Sequence, residues 1–154
     1  MRLSQGLRQG GVHVILMVVT GSPRGILIRE SGRGQPMGAI VRAVCRCGFE
    51  RELFLGGGMA NFTTHCSFPL YCGRCKALFE GNMLRKRIVC PNCKKARDVV
   101  PYDDDRICRR KGEPVFGYAT EQKLGRRLVL TDGEYLCPQC GRFTLSFTDI
   151  GDWD

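Results

Sequence analysis

Eight of the ten cysteines fall in pairs: Cys45 and Cys47 in "CRC", Cys72 and Cys75 in "CGRC", Cys90 and Cys93 in "CPNC", Cys137 and Cys140 in "CPQC". Two thiolates separated by one or two residues on a tight turn can reach one metal ion. Zinc takes four such ligands in a tetrahedron, with zinc–sulfur bonds of ~2.3 Å. The pairs 72/75 and 90/93 enclose 14 residues, close to the spacing of four-cysteine zinc sites. The chemistry predicted is closed, structural coordination. Such a site leaves no position for a substrate or a catalytic water.

Eight ligands make two sites, and two zinc ions are the expected cofactor, with iron as the alternative. If Cys72, Cys75, Cys90 and Cys93 close on themselves, Cys45 and Cys47 must meet Cys137 and Cys140, giving an inner site nested within an outer one. Sequential pairing, 45/47 with 72/75 and 90/93 with 137/140, is the rival. Its loops of 24 and 43 residues make it the less economical choice on loop-closure entropy. Glycine follows Cys47 and Cys140, where a knuckle turn needs a positive φ. Cys66 and Cys108 are left over. Cys66 reads as a small buried residue or spare thiol. Cys108, in "RICRRKG", is a possible reactive thiol, because neighbouring positive charge lowers a thiol pKa.

The elements that must hold these residues read mainly as β. "AIVRAVC", "RELFL", "RKRIVC", "RDVVPY", "RRLVLT", "GEYLC" and "RFTLSFT" are short runs rich in β-branched and aromatic residues, bounded by Gly, Pro or Asp. One short helix fits "TEQKL", so few or no helices are expected. Twenty glycines and seven prolines cut the chain into short pieces, and its large apolar residues are thinly spread. A single broad core is not expected, and metal would supply the staples. The expected architecture is a small, metal-stabilised double zinc ribbon of mainly β class. Its body is 37–154, with an inner ribbon at 70–96 inserted in an outer ribbon formed by 41–50 and 134–148. Residues 1–36 hold no cysteine and much Gly and Arg. They read as a separable or disordered arm, or as sequence upstream of a start at Met37.

Ten cysteines could instead be disulfides, and the compartment decides. Arg2 and Arg8 precede an apolar "VHVILMVV", but His13 interrupts that run and "TGSPRG" follows it, unlike a signal-peptide cleavage site. No stretch approaches the ~20 apolar residues that span a bilayer, so no membrane partner is expected. A cytoplasmic setting and metal-bound thiolates follow. The formal charge of +9 divides into +4 on residues 1–36, from five Arg and one Glu, and +5 on the remainder, from 19 basic and 14 acidic residues. Each four-thiolate zinc site adds roughly two negative charges, which weakens the case for a polyanion partner.

The paired knuckles "CGRC" and "CPNC" resemble those of zinc-ribbon and rubredoxin-like proteins, in which two knuckles on β-hairpins grip one metal. Rubredoxins carry iron, with CPxCG at the second knuckle and CxxCGY at the first. "CPNCK" and "CGRCK" depart from that pattern, so the zinc-ribbon comparison fits better. The body also resembles uncharacterised bacterial double zinc-ribbon proteins that open on a CxCG-like element and close on CPxCG and an aromatic strand. The spacing from "CRC" to "CGRC" resembles the zinc switch of a redox-regulated chaperone, whose large substrate-binding domain is missing here.

No HExxH, nucleophile elbow, P-loop or zinc-deaminase signature occurs, so no enzyme is expected. The Gly56 to Gly58 run reads as a turn or a close backbone approach. Asp103, Asp104 and Asp105 read as a solvated acidic turn before Arg106, Arg109, Arg110 and Lys111. The basic residues Arg74, Arg85, Lys86, Arg87, Lys94 and Lys95 are candidate contacts to RNA or DNA phosphates, with aromatic neighbours available to stack on bases. Three functional readings result. The first is a structural-zinc module acting by macromolecular interaction, with nucleic acid the leading partner. The second is a redox-active thiol switch or electron carrier. The third is a protein–protein interaction subunit that docks through the tail and Trp153.

Overall fold

A computed structural model of the chain describes residues 38–153, all within one compact unit. The expectations for residues 1–36 and for a start at Met37 lie outside the described residues. The architecture is mainly β. In chain order the elements are β1 (Gly38–Cys45), β2 (Glu50–Leu55), β3 (Ser67–Cys72), β4 (Ala77–Asn82), β5 (Val99–Pro101), a 3-10 turn (Asp105–Ile107), β6 (Cys108–Arg110), β7 (Pro114–Tyr118), α1 (Glu121–Leu124), β8 (Leu128–Thr131), β9 (Glu134–Leu136) and β10 (Phe143–Trp153).

An antiparallel five-stranded sheet in the order β2-β1-β10-β9-β6 joins the start of the described chain to its end. β1 alternates as the period of two requires: Val41, Ala43 and Cys45 are buried, while Val44 is exposed. β10 runs antiparallel to β1, with Cys45 opposite Leu145 and Gly38 opposite Trp153. The inner segment forms its own sheet, β4-β3-β5, and β7-β8 is a separate hairpin.

The core is broader than the composition implies. One continuous cluster runs from Val41, Leu53 and Leu55 through Phe68 and Tyr102 to Leu128, Leu130, Tyr135, Leu145 and Phe147. Tyr102, Tyr135 and Phe147 meet edge to face, with centroids 5.1 to 5.9 Å apart. Both tyrosine hydroxyls are satisfied: Tyr102 donates to the Leu136 carbonyl at 3.0 Å, and Tyr135 bonds Thr131 at 2.6 Å. These few large rings cover area that many small residues would otherwise supply. A second, small cluster of Leu70, Cys72, Phe79 and Cys90 belongs to the inner segment.

Some sequence expectations differ from the structure. The "RKRIVC" run, residues 85–90, forms no strand, whereas β3, β4, β6 and β7 form where the sequence pattern marks none. The C-terminal aromatic tail is β10 itself. Trp153 packs edge to face on Phe54 and donates its indole N–H to the Leu55 carbonyl at 3.0 Å, so it docks on its own sheet.

Candidate metal centre

Two groups of four cysteines come together, and the grouping is nested. Cys45, Cys47, Cys137 and Cys140 form one, Cys72, Cys75, Cys90 and Cys93 the other, and within each group all sulfurs lie within 4.8 Å of one another. Sγ separations are 3.8 Å for Cys45 and Cys140, 3.7 Å for Cys47 and Cys137, and 3.8 Å for Cys72 and Cys93. A tetrahedron with metal–sulfur bonds of ~2.3 Å has edges of about 3.8 Å; a disulfide needs ~2.05 Å. The donor set therefore fits a thiolate-bound ion, and either group could hold one.

Each knuckle is a turn that closes on its first cysteine. Cys90 N–H donates to the Lys95 carbonyl and Cys137 N–H to that of Arg142, while the N–H groups of Lys94 and Gly141 return to the carbonyls of Cys90 and Cys137. At the third knuckle, Cys72 pairs with Ala77 across β3 and β4. The "CRC" knuckle is one residue shorter, with Cys45 N–H on Phe49 and Gly48 N–H on Cys45. In all four turns the residue after the second cysteine has positive φ: Gly48 (92°), Lys76 (47°), Lys94 (58°) and Gly141 (68°). The outer knuckles use glycine, as expected. The inner ones use lysine, and these are the only non-glycine residues of positive φ among the described residues.

The turns also aim backbone N–H groups at sulfur. Cys72 accepts from Arg74 and Cys75, Cys90 from Asn92 and Cys93, and Cys137 from Gln139 and Cys140. Burial opposes ionisation at Cys137 and pushes its thiol up to about 12, whereas the Arg142 N–H pulls Cys140 down to about 6. In the inner group the bond to Cys93 pushes Cys75 up to about 12. Burial opposes ionisation of Cys90, yet the N–H groups of Cys93 and Asn92 bring it down to about 7. Four sulfurs packed this closely hinder one another's ionisation, which a cation between them would relieve.

The two leftover cysteines join neither group. Cys66 is fully buried in the main core, and burial pushes its thiol up to about 12. Cys108 is half-buried in a cleft of about 280 Å³ shared with Tyr102, Asp103, Lys111, Arg126 and Tyr135. Burial raises its thiol despite Tyr135 and Lys111, opposite to the lowering expected from its basic neighbours. The aspartate run is fully paired: Asp103 with Arg126, Asp104 with Arg106 at 2.8 Å, and Asp105 with Lys111 at 2.7 Å. Gly57 is a close backbone approach, since a Cβ there would lie 2.4 Å from the His65 carbonyl.

Arg74, Arg85, Lys86, Arg87, Lys94 and Lys95 are all exposed, and like Lys76 they have no ion-pair partner among the described residues. The neighbouring aromatics Tyr71 and Phe79 are buried, which removes the expected stacking on bases. Sequence reasoning missed Lys76, Thr144 and Arg142. Comparing the residue after each second cysteine, Gly, Lys, Lys, Gly, would have singled out Lys76. Nothing in the sequence marks Thr144.

Among the described residues no helix is long and apolar enough to cross a membrane. Comparison with family models, with curated proteins and with solved structures finds no match to this chain. Two four-cysteine groups that could hold metal, consistent with zinc-ribbon-like motifs, are what fold and site define.

Proposed function

We propose that this chain is a structural two-zinc module that acts by binding a nucleic acid through its inner ribbon. The domain reading accompanies it, with an inner ribbon at 70–96 carried by an outer ribbon of 41–50 and 134–148. Zinc is favoured over iron because "CGRCK" and "CPNCK" lack the rubredoxin pattern. Closed four-thiolate geometry favours a structural over a catalytic role.

The observation that carries the partner is the placement of unpaired charge. Residues 67–101 hold eight Lys and Arg against two acids, a net of +6, and only Arg97 among these cations has an ion-pair partner. A four-thiolate zinc site removes roughly two of those charges and leaves the segment strongly basic. One cysteine cluster brings the two knuckles together, so Arg74, Lys76, Lys94 and Lys95 all lie in or next to its turns. Such a surface suits phosphate backbones, with no aromatic ring exposed there to read or stack on bases.

Elemental analysis of the purified chain tests the metal, with two zinc per chain expected. Fluorescence anisotropy with RNA and DNA duplexes across a salt series tests the partner. Affinity that falls steeply with salt supports it; flat or undetectable binding overturns it.

A further inference from the structure

The short knuckle leaves a gap that another residue fills. In each CxxC turn the first cysteine accepts two backbone N–H bonds, from the residues two and three further on. The "CRC" turn lacks one residue, and Cys45 accepts a backbone N–H from Cys47. Its second partner is the Thr144 hydroxyl, whose Oγ1 lies 3.0 Å from Cys45 Sγ and 3.8 Å from Cys140 Sγ.

Thr144 reaches that position through an irregularity in β10. The pairing of β10 with β9 shifts register between Phe143 and Leu145, and the Thr144 N–H turns back to the Arg142 carbonyl at 2.9 Å. A bulge of this kind re-aims a side chain. The inner cluster has no counterpart: the residues four beyond its second cysteines are Phe79 and Arg97, and no hydroxyl contacts its sulfurs among the described residues. Partners that fix and hydrogen-bond a ligand usually matter to metal affinity by about 10- to 100-fold.

We propose that Thr144 is a positioning residue for the outer metal centre, supplying the hydrogen bond that the truncated knuckle cannot, so that the outer site's hold on its ion depends on this hydroxyl. This inference rests on the reading of the two cysteine groups as metal sites. The hydroxyl has one hydrogen to give, and Cys45 at 3.0 Å is its nearer acceptor. Donation steadies the Cys45 rotamer and draws off part of the thiolate's charge without occupying the metal.

The test loads the full chain with cobalt(II) and follows ion release to a chelator through the sulfur-to-cobalt absorption band. Cys47→Ser should remove the outer site's contribution to the release and Cys75→Ser the inner site's, which assigns each. Thr144→Val should speed release from the outer site about 10-fold or more, shift its band and leave the inner site alone, and Thr144→Ser should restore it. If Thr144→Val does not fold, the Thr144→Ser and Thr144→Ala pair reads the same contrast. Two bound ions whose release and spectra ignore the hydroxyl overturn the role of Thr144. A chain that binds no cobalt overturns the metal reading beneath it.

Discussion

The outer and inner cysteine groups are built on the same turn but sit in opposite surroundings. Cys45 and Cys137 of the outer group belong to the main core, beside β1, β9 and β10. Cys72 and Cys90 of the inner group share a small cluster with Leu70 and Phe79. Charge follows the same division. Residues 38–55 and 133–153 together hold four basic and five acidic residues, against eight and two in residues 67–101. One group sits in the core of the fold, and the other beneath a basic surface.

The strongest way to break this comparison is to remove one ligand from each group. Cys137→Ser should abolish cooperative unfolding and the near-ultraviolet dichroism of Tyr102 and Tyr135. Structural zinc contributes on the order of 10–16 kcal/mol at such sites, as much as a whole domain's stability. Cys75→Ser should lose one zinc by elemental analysis and keep that aromatic signal. Equal collapse of both variants would show that the groups are not separable. Next in size, Phe147→Ala should cost about 3–5 kcal/mol in denaturant unfolding. Phe79→Ala, in the smaller cluster, should cost less.

The pairing of cysteines was legible because a CxxC turn carries its own geometry and loop entropy orders the alternatives. Strands β1, β2, β5, β8, β9 and β10 were also legible, each marked by β-branched or aromatic alternation, as was the short helix within "TEQKL". β3 and β4 were not. "SFPLYC" contains Pro69, and "ALFEGN" ends in polar and glycine residues; both are strands because the knuckle between them holds them in register from Cys72 and Ala77 to Ser67 and Asn82. Gly81 is required by that packing, since a Cβ would meet Leu70 at 2.4 Å. Conversely, "RKRIVC" has strand composition but must deliver Cys90 to the cluster, and the approach is made without a strand partner. The breadth of the core was hidden because its Tyr residues look polar in a composition until their hydroxyls find partners.

Charge sharpens the comparison further. Neutralising Lys76, Lys86, Arg87 and Lys94 together to Gln should weaken duplex binding more than about tenfold at moderate salt and lower the salt slope by about 0.9 for each phosphate left unneutralised. Arg142→Gln, on the outer ribbon, should leave binding unchanged in the same titration. The smallest effect is conformational. Left-handed backbone costs a non-glycine residue about 1–2 kcal/mol, so Lys94→Gly should raise stability by about 1 kcal/mol in urea melts. Gly141→Lys should lower it by a similar amount.

The nesting of one group inside the other also sets a timetable for biosynthesis. The first and last of the four inner cysteines, Cys72 and Cys93, are 21 residues apart, and the four could capture an ion while the chain is still being made. Cys47 and Cys137 are 90 residues apart, which at ~5–20 residues per second is a wait of roughly 5–20 s. During that interval Cys45 and Cys47 have no partners on the growing chain, and the long sheet lacks β10. The inner ribbon can therefore be finished before the framework that carries it, and β10, the last of the described strands, is the one that completes the long sheet.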